Sequence, residues 1–471
     1  MAFDLALGAS TAALIAIGSW RGGLRLTAVN TFQIAWVVLI ALPALLRYAG
    51  VATVAKERFF IATAIVNVAL CTAVLVRGSP WFDRVLGAPA RRAASTSREP
   101  ESEVPRWAWG LLVLSLIIFS THAALMPKIP LLELLFHPGL TAGQLTAARE
   151  ASDKLLPVPL PLKYLFLWNQ RVIVPIVLCM FLLSGSAAIR AVVVPALVVL
   201  SAMTLEKSFP TFAILSAGLG VATFRHAGLL SRPVVVGVIV ALGVSFALSG
   251  ATRFHNTEPR RSTPAVATPQ HPDAGRAPAQ PGRGTTPVAL QIRRLALHPF
   301  EFAYHRILAS PSDVAYAWFE YFPDRFGGFL RGRSWNMFAR LQPGFQHPAN
   351  LVAIYAYQQR DTTHYLPTVY AYAAFHADAW ANFGYPGVIG ACILAGAVLL
   401  IGDAAVALSD SPLTAGASGA AVSILATTLT AGGLQAALVA QGLLPCLMIA
   451  LMPVWGYRAE ATSAWGRSVR T

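Results

Sequence analysis

Charge is scarce in this sequence. Only 12% of its 471 residues are Asp, Glu, Lys or Arg, whereas 56% are apolar. Soluble globular domains carry about 25% charged residues, so the deficit excludes an ordinary soluble fold. Uncharged runs near the roughly 20 residues that a bilayer crossing requires recur along the chain. The sequence therefore predicts an all-α, polytopic transmembrane helical bundle.

Cysteine is also rare. The four thiols, Cys71, Cys179, Cys392 and Cys446, lie far apart, and each sits inside an apolar run. This spacing excludes a disulfide framework and does not match the spacing of metal ligands. We interpret the four residues as small core-facing or lipid-facing side chains, and we predict no metal site.

The apolar runs predict about eleven spans, and Arg in the short loops predicts their orientation. With an outer N-terminus, the inner short loops hold fourteen Lys or Arg residues and the outer short loops hold eight, which favours this arrangement. The predicted spans lie near residues 5–20, 30–46, 59–76, 107–125, 164–184, 190–205, 209–224, 233–250, 384–402, 412–431 and 433–455.

Two polar segments interrupt the spans. Residues 77–106 have a linker composition and form a predicted inner loop, and residues 251–375 form a large predicted outer loop. Within the outer loop, residues 256–287 are rich in Pro, Thr, Ala, Gly and Arg and predict a mobile insertion. Residues 288–375 contain an amphipathic pattern typical of an interfacial helix, so we expect them to fold on the membrane face. The outer loop thus separates membrane domains at 1–250 and 376–471.

Lysine is absent from the long loop, which holds thirteen Arg against seven acids. The planar guanidinium binds phosphate in a bidentate way, so this choice points to an anionic ligand. Arg306, Arg331 and Arg333 are the candidates, and Arg331 and Arg333 flank Gly332 in a predicted turn. The alternative is that Arg reflects a GC-rich genome and that each side chain is a solvated surface residue.

Two further cations lie beside apolar runs. Arg171 stands inside the apolar stretch 164–184, and ionisable residues within a membrane are functional candidates. The alternative is that its side chain reaches the interface from near the start of the helix. Lys207 follows Glu206 in a short outer turn, where a local Glu–Lys pair is the competing interpretation.

The stretch before residue 388 combines polar groups with helix breakers. Pro367 predicts a helix that starts near Thr368, which would place Asp378 and Asn382 on one face, one turn apart. His376 would point elsewhere, and a surface or core role competes with catalysis for it and for His364. For Asp378, the competing interpretation is an ion pair with an Arg of the loop.

Helix breakers follow these polar groups. Gly384, Pro386 and Gly387 should interrupt the helix before the next span. A polar helix that breaks at the membrane surface is a common way to line a cavity, so we predict a cavity at this position.

Three segments resemble the bacterial oligosaccharide repeat unit polymerases, or O-antigen polymerases. The first is "TLEKSFPTFAILSAGLGVATFRHAG", with a Lys–Ser turn, an apolar helix and a basic end. The second is "HRILASPSDVAYAWFEYFPDRFGGFLRGRS", with an Arg–Ile helix, an aromatic run and a Gly-containing turn. The third is "LPTVYAYAAFHADAWANFGYPGVIGA", which leads to "NFG" at the next span. The insertion at 256–287 departs from the family pattern.

The resemblance implies a GT-C-like, metal-independent glycosyltransferase at the periplasmic face of the inner membrane. Its donor and acceptor would be glycan repeat units on undecaprenyl or another polyprenyl pyrophosphate, and no cofactor is expected. Implied pyrophosphate-binding residues are Arg171, Lys207, Arg306, Arg331 and Arg333. Implied bases, in falling order, are Asp378, Glu320 and His364. Trp318, Tyr321 and Trp335 are candidates for sugar contacts, although packing on each other competes with that role.

Other functions stay open. A ligase-like transferase that delivers finished glycan to another acceptor would share this architecture. A polysaccharide or lipid transporter would often show related halves, and no internal repeat is visible. A membrane scaffold would not need the Arg residues. Expected partners are membrane lipid, a chain-length regulator and a flippase, and not nucleic acid.

Overall fold

The computed structural model describes residues 2–22, 25–82, 84, 104–137, 140, 142–152, 156–254, 310–334, 347–358 and 370–452. Within these ranges the chain is helical apart from turns, short extended segments and one isolated bridge between Arg25 and Gly228. The protein is therefore an all-helical one over the part of the chain that the structure describes, as the sequence predicts.

Twelve helices lie in the described part of residues 2–254. They are α1 (Ala2–Ile17), α2 (Ala28–Trp36), α3 (Leu42–Tyr48), α4 (Val54–Arg77), α5 (Arg106–Leu125), α6 (Pro130–Phe136), α7 (Ala142–Ser152), α8 (Leu160–Trp168), α9 (Val174–Ser184), α10 (Ala187–Ser201), α11 (Ser208–Phe224) and α12 (Arg232–Phe254).

The second half contributes α13 (Ser310–Tyr321), α14 (Pro348–Gln358), α15 (Phe375–Ala407), α16 (Pro412–Ala431) and α17 (Leu443–Ala450). Four π-helical segments of the described chain adjoin these helices, a geometry that is rare and often found at functional sites. They are Gly18–Gly22, Val37–Ala41, Asn169–Ile173 and Ala436–Ala440.

Seven continuous helical stretches in the described chain are long and apolar enough to cross a membrane, which makes this a multi-pass membrane protein. Three shorter apolar helices, α10, α11 and α12, coincide with three further predicted spans. The predicted span 433–455 is not one helix over its described part. Gly442, with a φ of 82°, separates the π-helical segment Ala436–Ala440 from α17. The total of eleven spans stays a prediction.

Capping residues explain where several spans begin. Thr27 accepts a hydrogen bond from the Asn30 amide before α2, and Thr53 accepts one from the Lys56 amide before α4. Before α16, Ser411 and Thr414 cap each other's backbone amides in a reciprocal pair. Such caps satisfy amides that have no partner within the first helical turn.

Helix α16 forms the centre of the bundle because small residues let its neighbours approach closely. It packs against α2, α9, α11, α15 and α17. A Cβ atom on Gly419 would meet backbone atoms of Gly220 and Ser216 on α11. Close backbone contact through small residues is the usual way that helices associate without a hydrophobic driving force in lipid.

Ion pairs mark the two ends of the bundle. At one end, Arg77 Nε lies 3.0 Å from Asp403 Oδ2, and Asp403 Oδ1 accepts a hydrogen bond from the Val29 amide. At the other end, Lys56 Nζ lies 2.6 Å from Asp4 Oδ1. Helix α15 connects the two ends, with Asp403 near the first and Asp378 near the second. We call the first the Arg77 end and the second the Asp378 end.

The long loop contributes two described helices to the Asp378 end. α13 packs against α4 and α15, and Asp313 on α13 binds Arg47 Nε at 3.0 Å and the Tyr48 hydroxyl at 2.7 Å. The predicted insertion at 256–287 and the predicted interfacial helix near 290–308 lie outside the described residues, as does most of the predicted linker at 77–106.

Replacing Arg77 with Met should lower the free energy of unfolding by about 3 kcal/mol, because it leaves a buried carboxylate without its counter-charge. The Asp403 side chain is only 1% exposed. Thermal unfolding of the purified protein in detergent measures the change. The double variant Arg77→Met/Asp403→Asn removes both charges and should recover part of the loss. Equal stability of the single and double variants would contradict a stabilising pair.

Candidate functional site

A cavity of about 640 Å³ lies beside the first turns of α15 at the Asp378 end. One wall comes from α15, and the other comes from the segment that follows α16. The lining is apolar except for three polar side chains. It includes Phe375, Asp378, Asn382, Phe383, Leu394, Gln435 and Val439. Leu394 and Val439 are each more than 40% exposed, so the cavity is open on the side that would face lipid.

The polar end of this cavity depends on where α15 begins. The predicted start near Thr368 is wrong, because the described residues 370–374 are not helical and the helix begins at Phe375. Distant segments bind this non-helical stretch: the Ala371 amide donates to Ala349 O, and Trp318 Nε1 donates to Ala371 O. Pro367 and Thr368 themselves lie outside the described residues.

Asp378 and Asn382 share one face of α15, one turn apart, as the spacing predicts. Asn382 Nδ2 donates to the Asp378 carbonyl at 2.8 Å and to Ser334 Oγ at 2.6 Å. The Ser334 side chain also hydrogen-bonds the Asp378 carboxyl group. The competing interpretation of Asp378, an ion pair with an Arg of the loop, has no counterpart among the described residues.

The predicted helix break is confirmed at Gly384, which has a φ of 64° and a ψ of −148° within α15. The left-handed φ favours Gly, and a Cβ there would lie 3.2 Å from the Phe329 ring. Because Pro386 has no amide hydrogen, the carbonyl of Asn382 loses its usual helical donor. The Arg331 amide fills that role at 3.0 Å, and the Leu330 amide donates to Ala381 O at 2.8 Å.

The turn at Gly332 is thereby docked on the cavity. The Gly332 amide donates to Asn382 Oδ1 at 2.9 Å, and Gly332 adopts a φ of 87°. Arg331, with a φ of 53°, and Arg333 flank it with exposed side chains. No acid of the described chain forms an ion pair with either guanidinium. The backbone of this turn therefore binds Asn382, and the turn carries two exposed cationic side chains.

The opposite wall of the cavity, formed by the segment after α16, packs against the Asp378 carboxylate. A Cβ on Gly433 would lie 2.8 Å from Asp378 Oδ2, so only Gly lets the backbone after α16 approach so closely. Ser334, Gly433 and Gln435 are site residues that sequence reasoning missed. For Gly433 and Gln435, the only local signal is the polar interruption "GGLQ" between two apolar runs, which does not specify a partner, and Ser334 is signalled only by its place after the predicted turn at Gly332.

A second cationic group lies at the same end of the bundle. Arg171, in the π-helical segment Asn169–Ile173, donates to Ser208 Oγ at 3.3 Å, and its guanidinium lies 4.4 Å from the Phe212 ring. Glu206 interacts with it electrostatically, so the structure brings Arg171 to the turn that contains Lys207. Trp168 Nε1 donates to Val439 O at 2.9 Å and connects this region to the cavity wall.

Other predicted site residues are not brought to the cavity. Glu320 is on α13, where its described interaction is with Tyr316, and burial together with this charge raises the pKa of Tyr316. His376 is fully buried among the rings of Trp36, Phe59 and Phe319, which matches a core histidine. Arg306 and His364 lie outside the described residues.

The aromatic residues considered for sugar contacts pack within the protein. Trp318 is buried against Phe322, and Tyr321 contacts Phe322 and Tyr355. Trp335 lies outside the described residues. A different pair of aromatic rings, Tyr370 and Tyr372, is stacked with ring centroids 5.6 Å apart. His347 packs edge-on against Tyr370, and burial lowers the pKa of His347 to about 4.

Among the described residues, no three His, Cys, Asp or Glu side chains are grouped so that they could hold a metal ion. The expectations of no metal and no cofactor stay predictions. No protein-family model, curated protein or solved structure matches the chain.

Proposed function

We propose that this protein is a glycosyltransferase that joins repeat units carried on polyprenyl pyrophosphate into a surface polysaccharide. The observation that carries the proposal is the apolar cavity that contains the Asp378 carboxyl group and on whose Asn382 the turn that bears Arg331 and Arg333 is docked through its backbone. A lipid-linked pyrophosphate glycan presents matching chemistry: an apolar tail, a dianionic leaving group and an acceptor hydroxyl that needs a base.

In this proposal, Asp378 is the base that removes the proton from the acceptor hydroxyl. Ser334 and Asn382 hold its position through the hydrogen bonds described above. The acceptor oxygen then attacks the anomeric carbon of the donor, the bond from that carbon to the pyrophosphate breaks, and the carrier leaves as polyprenyl pyrophosphate.

Arg331 and Arg333 stabilise the charge that develops on the departing pyrophosphate. Their turn is fixed on Asn382 through its backbone, so in this proposal the two side chains reach the pyrophosphate without the turn first having to become ordered. The carrier chain occupies the apolar part of the cavity, where Leu394 and Val439 open toward the bilayer. Arg171 and Lys207 provide further positive charge at the same end of the bundle.

The proposed location is a bacterial inner membrane, with the Asp378 end facing the periplasm. The bias of Arg toward the Arg77 end supports that orientation, since Arg21, Arg25 and Arg77 meet there. The donor and acceptor are proposed to be carrier-linked glycans, and a flippase and a chain-length regulator are the proposed protein partners.

Deletion of the gene with analysis of the cellular carbohydrate tests the proposal. A polymerase deletion should leave single repeat units attached to their final acceptor and abolish long chains. A ligase deletion should instead accumulate carrier-linked polymer, and loss of a transporter should trap carrier-linked units on the cytoplasmic side. Normal chain length in the deletion strain would refute the polymerase assignment.

Replacing Gly433 with Ala should reduce glycan transfer by about tenfold or more. The new methyl group would displace the Asp378 carboxyl, and small misplacements of catalytic groups are costly. Transfer is measured with purified protein and a synthetic carrier-linked repeat unit. Gly396→Ala, the same substitution on α15 at a position with open space around its Cβ, is the control and should transfer like wild type. Equal activities of the two variants would argue against Asp378 as the reacting group.

A further inference from the structure

Gln435 is the polar side chain of the cavity that the proposed mechanism leaves without a role. Three polar side chains line the cavity, and two of them, Asp378 and Asn382, stand on the α15 wall. Gln435 stands on the other wall, in the segment after α16, with Leu434 and Leu438 as its neighbours in the lining. It is half-buried, so it belongs neither to the packed core nor to the fully exposed surface.

The two amide side chains of the cavity differ in how far the protein already uses them. Asn382 Nδ2 donates to Ser334 Oγ and to the Asp378 carbonyl, and Asn382 Oδ1 accepts from the Gly332 amide. Gln435 makes no side-chain hydrogen bond with any residue that the structure describes. Its amide therefore has both a donor and an acceptor left for a ligand.

The path of the chain brings Gln435 to the same part of the cavity as the carboxyl group. A Cβ on Gly433 would lie 2.8 Å from Asp378 Oδ2, and Gln435 follows Gly433 by two residues. Since consecutive Cα atoms are about 3.8 Å apart, the Cα atoms of Gly433 and Gln435 are separated by no more than about 7 Å. A sugar ring with one hydroxyl at Asp378 therefore has a neighbouring substituent within reach of Gln435.

The apolar lining around Gln435 selects the chemistry of its partner. A ligand that fills the cavity displaces water from the amide, and an amide that loses water without gaining a partner is unfavourable. A hydrocarbon carrier chain cannot replace that partner. A phosphate oxygen can accept from Nε2, but it meets Oε1 as a second acceptor. A sugar hydroxyl both donates and accepts, so it satisfies either atom of the amide.

We propose that Gln435 binds the acceptor sugar through a polar substituent next to the hydroxyl that reacts. This inference rests on the proposed function, in which Asp378 removes the proton of that hydroxyl. The two walls together then orient the acceptor, with the carboxyl group at the reacting hydroxyl and the amide at its neighbour. Gln435 thus helps to determine which acceptors are used, because a site that hydrogen-bonds a substrate group discriminates against an analogue that lacks it.

The substitution Gln435→Leu removes the donor and the acceptor while keeping a side chain of similar size. The probe is the single repeat unit of the deletion strain, released and attached to a short alkyl chain so that it acts only as an acceptor. With a carrier-linked repeat unit as the donor and the purified full chain, we expect the acceptor KM to rise roughly fivefold to tenfold. The donor KM and kcat should change by less than about twofold. Gln441→Leu, the same substitution at a position that does not line the cavity, is the control and should keep the wild-type KM.

A second measurement uses the wild-type protein and so does not depend on how the variant folds. It uses acceptor analogues in which each substituent next to the reacting hydroxyl is replaced in turn by hydrogen, and one of them should raise the acceptor KM as much as Gln435→Leu does. That analogue should have no further effect in Gln435→Leu, because the contact is already lost.

Two outcomes separate this inference from the proposed function. Wild-type acceptor KM in Gln435→Leu, or the absence of any sensitive analogue, would overturn the role of Gln435 while an inactive Asp378→Asn variant left the proposed function in place. Full transfer by Asp378→Asn would instead refute the base on which both proposals depend.

Discussion

Replacing Asp378 with Asn is expected to lower glycan transfer by about 10²-fold or more, the effect of removing a general base. Asn has nearly the same shape as Asp and can still accept a hydrogen bond from Ser334. It cannot accept the proton of the acceptor hydroxyl at neutral pH. The variant therefore separates the loss of a base from a loss of structure, and Gly433 should still pack against the substituted side chain.

The assay uses purified protein with a carrier-linked repeat unit, together with a separate measurement of carrier lipid binding. We expect binding to persist in Asp378→Asn because the apolar cavity and both Arg side chains are intact. Asp410→Asn, which changes a carboxyl group in the turn between α15 and α16 at the Arg77 end, is the control and should transfer like wild type. Near-normal polymer from Asp378→Asn would move the role of the base to Glu320 or His364.

Replacing Arg331 or Arg333 with Ala is expected to reduce transfer by about tenfold to a hundredfold at each position. A charge-assisted hydrogen bond to phosphate contributes about 1.5–3 kcal/mol, which corresponds to this range. A Lys substitution keeps the charge and loses the planar fork, so Arg→Lys should recover only part of the activity at a true contact. The loss should appear in transfer rather than in stability, because both side chains are exposed.

Arg325 offers a matched control within the same loop. Its guanidinium lies 4.7 Å from the Tyr355 ring, away from the turn that docks on Asn382. Arg325→Ala should therefore change transfer by less than about twofold, since a single exposed cation–π contact is weak. If Arg331→Ala and Arg333→Ala both fold, bind carrier lipid and transfer like Arg325→Ala, the proposed pyrophosphate site loses its main support.

The sequence by itself determined that this is a helical membrane protein, because span formation depends on local properties. A run of about 20 apolar residues satisfies its own backbone as a helix and needs no distant partner to do so in lipid. Local geometry also determined the shared face of Asp378 and Asn382, the break at Gly384 and the turn at Gly332. Each of these depends on residues within one helical turn or one tight turn.

Only the tertiary structure decided what surrounds these groups. Helix α15 starts at Phe375 and not near Thr368 because the backbone of Ala371 is bonded to Ala349 and Trp318 instead of to a helical neighbour. Both partners come from distant segments, so no pattern near Thr368 reveals them. The sequence shows locally that Pro386 leaves the Asn382 carbonyl without a helical donor. The donor that replaces it, the Arg331 amide, comes from another segment of the chain.

The composition of the cavity wall also depends on contacts between distant segments. Gly433 reaches Asp378 from beyond α16, and Glu320 lies elsewhere although its sequence context is equally aromatic. A local pattern specifies which groups a segment presents. The packing of segments many residues apart specifies which groups meet, because that packing depends on the shapes of several helices at once.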